Sequence, residues 1–280
     1  MIIDFHTHIF PEKIVERVIA RLEGLAHSKA HILPTMTNLL ASMDEAGIDI
    51  SVILPVVTSV SQTESINRSS CEINEMWGDR LIAFGGIHPD DENYKKTLDG
   101  IAASGMKGIK LHPVYQGVEV DDIRNLRIIE YAEELGLITV IHAGVDIGIC
   151  GDQSSVKRIR RVIDTVHPKK FVCAHLGGWC EWDEVEALLL CENVYLDTAF
   201  SIGRPYLTLD KNAPYPHPDL CDRARLCRMI ERHGADKFLF ATDSPWSSQH
   251  LEVQKIKEMQ LPKEIENALF YENAAKLLAL

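Results

Sequence analysis

The chain has no cysteine pair spaced C-x-x-C, no glycine-rich loop after its first apolar run, no apolar stretch long enough to span a bilayer, and no broad excess of basic residues. Each absence removes a class of function. The seven cysteines, Cys71, Cys150, Cys173, Cys180, Cys191, Cys221 and Cys227, are odd in number and scattered, so they read as reduced packing residues rather than as ligands or a disulfide framework. With no signal peptide to be read, this points to the cytoplasm. Lys and Arg number 29 against 41 Asp and Glu, a net charge of −12. Phosphate binding needs clustered cations, so nucleic acid and acidic membranes are disfavoured as partners. The one basic run, Lys157-Arg158-Ile159-Arg160-Arg161, has the spacing of a helix's solvated face.

What the chain does have is repetition. Its 280 residues, 46% of them apolar, admit either one large α/β barrel or two smaller domains. Apolar runs begin near Ile2, Ile48, Leu81, Gly108, Leu137, Phe171, Val194 and Phe238, and amphipathic helical stretches separate them. Helix starts and stops are marked: Asp121 or Asp122 and Ser154 or Ser155 as N-caps, Gly47 and Gly136 as stops. Eight such runs without a break in composition predict a single (β/α)8 TIM barrel over residues 1–280. A doubly wound open sheet would place a glycine-rich turn after the first strand, where this chain has histidines. The stretch 202–218, rich in Pro, Tyr and Asn and without periodicity, reads as a long loop that could serve as a lid.

The chemistry of such a barrel sits where its strands end. Those ends carry His6 and His8, then Ser59, His88, Lys110 and His112, His142, His175, Thr198 and Asp243. His6 and His8 are two apart on a strand, so both face one side and form a clamp for a cation. Imidazole and carboxylate suit Zn²⁺, Mn²⁺ or Fe²⁺, and three His with one Asp leave a coordination position for water. A divalent ion there lowers the pKa of that water to roughly 7. A carboxylate touching both metal and water can then move the proton to the leaving group. Tyr115, Trp179, Arg204 and Trp246 follow strand ends in loops and are candidate substrate contacts, with Arg204 able to clamp a carboxylate. His88 and His112, each before a proline, either reach the substrate or shape their loops.

Taken together, Asp4-Phe5-His6-Thr7-His8, Gly108-Ile109-Lys110-Leu111-His112-Pro113, Ile141-His142-Ala143-Gly144, Ala174-His175-Leu176-Gly177-Gly178, Ala241-Thr242-Asp243-Ser244-Pro245 and the tail Asn273-Ala274-Ala275-Lys276-Leu277-Leu278 resemble the amidohydrolase superfamily, and within it the amidohydrolase-2 group of metal-dependent hydrolases and aminocarboxymuconate-semialdehyde-type decarboxylases. The resemblance covers essentially the whole chain. It implies that His6, His8, His142 and Asp243 hold the metal and that His175 bonds the metal-bound water or the substrate. Lys110 is then either carboxylated between two ions or free to bind a substrate anion, and one ion, most readily zinc, is the expectation. The first function expected is hydrolysis of a small ester, lactone or amide; the alternative is non-oxidative decarboxylation of a small unsaturated or aromatic acid. The partner is a small molecule, with a carboxylic acid among the candidates, and a homodimer is the general expectation.

Overall fold

The computed structural model describes residues 1–26, 28–203 and 220–280. Arg204 and the stretch from residue 204 through 218 therefore lie outside the described residues. The strands are β1 (Ile3–Thr7), β2 (Ile50–Ile53), β3 (Leu81–Ala83), β4 (Gly85–Gly86), β5 (Gly108–Leu111), β6 (Ile138–Ile141), β7 (Phe171–Cys173), β8 (Tyr195–Asp197) and β9 (Phe238–Leu239). All pairings are parallel, in the orders β1-β2-β3 and β4 through β9. The two sheets are one ring. They part at Phe84, which splits the third expected strand in two, yet the Phe84 N–H still donates to the Ile53 carbonyl at 2.9 Å.

The ring closes between the first and last strands. Phe5 N–H donates to the Phe240 carbonyl at 2.9 Å, Asp243 N–H to His6 at 2.9 Å, and His8 N–H to Ser244 at 2.7 Å. The Asp4 carboxylate reinforces this seam, accepting from Thr242 N–H at 3.0 Å, Thr242 Oγ1 at 2.6 Å and Gln249 Nε2 at 2.8 Å. Burial pushes Asp4 up to about 7, against the pull of those donors. Asp4 is thus an acid satisfied within the barrel wall.

Two apolar clusters sustain the ring. Ile3, Phe5, Val52, Leu54, Phe84, Val140, Val172 and Leu239 touch one another although they come from strands all round the circle, which only an interior core allows. The second cluster lies between strands and helices, with Leu39, Met43, Leu98, Ile128, Ile159, Val162, Leu226 and Met229. Each fully buried side chain of this size stabilises the fold by roughly 1.5–3 kcal/mol. Asp122 caps Ile123–Glu134 through Arg124 N–H, and Gly47, at φ 70°, ends Met36–Ala46.

Three local expectations need correction. Only Cys173 and Cys221 are buried; Cys71 and Cys227 are half-buried, and Cys150, Cys180 and Cys191 are exposed, so three of the seven thiols lie outside the core. The helix expected over Lys263 to Leu278 contains a π segment, Ala268–Glu272, between Lys263–Asn267 and Asn273–Leu278. A one-turn helix, Pro113–Gln116, was not anticipated, and it is capped by His112. No helix among the described residues is long and apolar enough to cross a membrane.

Candidate metal centre and pocket

At the end of β1, His6 and His8 emerge on one face, with their rings 5.0 Å apart. Each is oriented from behind. His6 Nδ1 is 2.9 Å from Asp197 Oδ2, and His8 Nδ1 is 2.7 Å from the Leu54 carbonyl. Both partners are acceptors, so both Nδ1 atoms carry the proton and both Nε2 atoms present lone pairs. Those two Nε2 atoms are 3.2 Å apart, and Asp243 Oδ1 is 3.2 Å from that of His8 and 3.6 Å from that of His6. Three electron-pair donors thus converge with no proton of their own between them. Lys110 Nζ lies 3.2 Å from one of them, His6 Nε2. A divalent cation fits this set in charge, donor type and spacing.

Backbone geometry supplies the rest of the placement. Asp243 has φ 63° and His175 φ 61°, left-handed conformations that non-glycine residues rarely take. Asp243 holds its turn through the hydrogen bond to His6 and through Trp246 N–H, which donates to its carbonyl at 2.8 Å. Such strain clusters at functional sites. Asp243 lies below the usual carboxylate range: burial pushes it up, but the imidazoles of His8, His6 and His175 that face it pull it further down. Burial brings Lys110 down to about 8, while the nearby Asp197 and Asp243 hold it up. His6 is pushed well below its ordinary range by burial, then by Lys110.

His142 is not within this trio. It belongs to a second group, with His112 and Asp146, on the loops after β5 and β6. His175 bridges the two. Its Nδ1 donates to the Ala199 carbonyl at 2.9 Å, so its Nε2 accepts, and His142 Nδ1 donates to it at 3.1 Å. His175 is also close to His6, ring centroids 5.3 Å apart. His175 therefore lies between the two groups, touching His142 on one side and His6 on the other.

The remaining expected contacts divide by position. Tyr115 is half-buried and lies against the His112 ring, 4.2 Å between centroids; burial and then Asp146 raise its phenol. His88 is buried, and its Nδ1 accepts from Asp90 N–H at 3.2 Å, an anchor within its own loop. Trp179 is buried in the outer core and spends its indole N–H on the Phe200 carbonyl at 3.2 Å. Trp246 is half-buried against the same core, three residues beyond Asp243.

Two acids escaped the reading of strand ends. Asp197 was passed over for its neighbour Thr198, whose hydroxyl ties β8 to Ala241. Yet Asp197 orients His6 and accepts from His175 N–H at 2.8 Å and Ala199 N–H at 3.1 Å. An ionisable residue inside an apolar strand was the available signal. Burial raises Asp197, and its partners draw it back. Asp146 lies in a loop, four residues past His142, where nothing in the sequence marks it.

Comparison with known proteins follows the same lines. Residues 3–280 match the family model described as amidohydrolase. No curated protein matches the chain. Among solved structures, a 5-carboxyvanillate decarboxylase from Sphingomonas paucimobilis superposes with TM-score 0.73 at 16% identity, covering 100% of this chain and 99% of that one. An uncharacterised TIM-barrel protein from Bordetella bronchiseptica gives 0.77 at 17%, covering 99% and 98%. A dihydroxybenzoic acid decarboxylase from Polaromonas sp. JS666, with bound manganese and the inhibitor 2-nitroresorcinol, gives 0.72 at 14%, covering 100% and 97%. At these identities the likeness establishes the (β/α)8 barrel.

Proposed function

Because the chain belongs to the amidohydrolase family, we propose that it is a metal-dependent carboxy-lyase that removes carbon dioxide from a small aromatic acid. The observation that carries this reading is Lys110. It is 1% exposed, with no acid within ion-pair distance among the described residues, and it stands beside the cation site. A buried ammonium without a paired charge is costly, and a substrate carboxylate would relieve it. Whole-chain likeness to two decarboxylases supports the same chemistry. This reverses the order reached from sequence, where hydrolysis came first.

His6 Nε2, His8 Nε2 and Asp243 Oδ1 would hold one divalent ion, which supplies an electrophile toward a substrate oxygen. His142 is left out of this set because it groups with His112 and Asp146, its Nε2 lying 4.0 Å from Asp146 Oδ2. Manganese is bound in the Polaromonas relative, so it is the ion to load first; zinc, expected from the ligand types, is the second. Lys110 binds and orients the carboxylate. As the carbon–carbon bond breaks, its electron pair stays on the ring carbon, carbon dioxide leaves, and Asp243 relays a proton to that carbon. Asp243 returns to its carboxylate form in the act, so it is recharged from solvent in each turnover. His175, fixed by Ala199, keeps its Nε2 an acceptor and holds His142 in place.

The test is to load the protein with manganese and offer it hydroxylated benzoates together with small aryl esters and lactones. Carbon dioxide release from an acid is the expected result. Cleavage of an ester or lactone with no decarboxylation of any acid restores hydrolysis as the function.

A further inference from the structure

Between β1 and the helix Met36–Ala46 the chain leaves the barrel wall and returns to it. Its neck closes where Phe10 N–H donates to the Pro34 carbonyl at 2.8 Å. The returning limb is held where His31 N–H donates to the Pro245 carbonyl at 2.8 Å, two residues beyond Asp243. Between these anchors lies the helix Val15–Ala26. The Glu23 carboxylate ties its last turn to the returning limb, accepting from Lys29 Nζ at 2.5 Å and Ala30 N–H at 3.0 Å. From this root the helix reaches Gly148, where an ideal Cβ would stand 3.5 Å from Leu25 Cβ. Gly148 follows β6, which is fifth round the ring from β1 when β3 and β4 count as one strand. The two loops therefore rise from opposite walls, and they can meet only over the mouth.

The cation site beneath is nearly sealed. His6 and Lys110 are 1% exposed, His175 5% and Asp243 8%, so a small molecule reaches them only if something at the mouth moves. The helix Val15–Ala26 is packed in a way that permits this. Val15, Val18, Ile19 and Leu22 share one helix face, and Val15 and Ile19 are buried. Neither belongs to either apolar core, whereas Met36–Ala46 and Ile123–Glu134 place Leu39, Met43, Ile128 and Ile129 in the outer one. Lifting the helix thus uncovers its own stripe and leaves the barrel closed. At its far end Leu25 is 38% exposed, so the contact that completes the span is thin.

We propose that the helix Val15–Ala26 is a cap over the barrel mouth. Its contact with Gly148 opens, with the Phe10–Pro34 neck as pivot, to admit and release the small molecule that the site acts on. The cap governs access, so it goes beyond the carboxy-lyase reading and holds for any small occupant.

The test is a reversible staple. The 3.5 Å between Cβ positions falls within the span of roughly 3.5–4.5 Å that a disulfide bridges. Leu25→Cys is combined with Gly148→Cys and with Cys150→Ser, which removes an exposed thiol two residues away. Oxidised glutathione closes the bridge, a phosphine reopens it, and peptide mass mapping verifies both states. The first readout needs neither metal nor substrate: the rate at which diethyl pyrocarbonate modifies His8, with the exposed His167 as internal control. The second is carbon dioxide release by the manganese-loaded protein. The expected result is that the bridge slows both about tenfold or more, leaves His167 unchanged, and is reversed by reduction. A His8 rate that is equal in the bridged and reduced proteins overturns the cap, and so does a His8 inert in both. If the bridge protects His8 while the reduced protein decarboxylates no acid, the cap stands and the carboxy-lyase reading fails. Where the variant does not fold or bridge, hydrogen exchange on the wild type decides. Amides of Val15–Ala26 are expected to exchange at least about tenfold faster than those of Ile123–Glu134, and equal protection of the two helices overturns the proposal.

Discussion

Two groups of two histidines and one aspartate lie at the ends of the barrel strands, and their imidazoles are held differently. In the first, the gaps from Asp243 to His8 and His6 are 3.2 and 3.6 Å; in the second, those from Asp146 to His112 and His142 are 3.9 and 4.0 Å. The larger difference lies behind the rings. His6 and His8 both have an acceptor at Nδ1, so both turn lone pairs inward. His112 has a backbone N–H at Nδ1, so it turns a proton inward. The same residue types therefore turn two lone pairs inward in one place and a proton in the other. What decides is the atom on the far side of each imidazole.

The sharpest way to break this contrast is to make the same exchange in each group. Asp243→Asn is expected to cost about a thousandfold or more in turnover and to lower manganese occupancy, since it removes both ligand charge and proton relay. The metal-free variant should melt close to the wild type, which metal analysis and melting curves will check. Asp146→Asn should leave manganese occupancy intact. Equal metal loss in both variants would erase the distinction drawn here.

A backbone change probes the second group alone. Gly144 has φ 86°, and a Cβ there would collide with the backbone of Gly178 and Trp179, to which the glycine is bridged. Gly144→Ala is expected to destabilise the fold by ~3 kcal/mol, read as a lowered melting temperature, because strain and collision add. A smaller test falls on the first group from behind. Asp197→Asn can no longer fix the His6 tautomer with a charge, and should weaken manganese binding by about 10–100-fold in direct titration.

The weakest expected effect is one of pH. Burial, followed by its neighbour His142, depresses the pKa of His112 well below 6.5 in the folded chain. The unfolded chain then takes up that proton first. The stabilisation is complete above about 6.5 and is lost progressively as pH drops below it toward the folded value. Melting of the metal-free protein should therefore decline between pH 7 and 5, and His112→Asn should make the decline shallower. An identical slope would show that His112 does not hold its neutral form.

How much of this was written in the chain depends on range. The alternation that puts His6 and His8 on one face is a property of any strand, so it can be read from three consecutive residues. The eight apolar runs likewise revealed the ring, and Asp243 was marked by ending the last of them. What could not be read is contact across the ring. Asp197 reaches His6 over 191 positions, and Asp146 meets His112 from a different loop. Neither pairing leaves a local pattern. His142 shows the limit most clearly: its place at a strand end was legible, but which trio it joins depends on His175 and Asp146. Phe84 marks a lesser gap, since one apolar run gave no hint that its ladder breaks there.

The seam between the first and last strands also has a consequence for biosynthesis. His6 and His8 are synthesised before the other strands of the ring, whereas Asp243, whose N–H bonds to His6, follows the last of them. A nascent chain on the ribosome can thus present two imidazoles but lacks the carboxylate that completes the clamp. The three donor atoms of the clamp therefore come together only when the last strand closes the ring against the first.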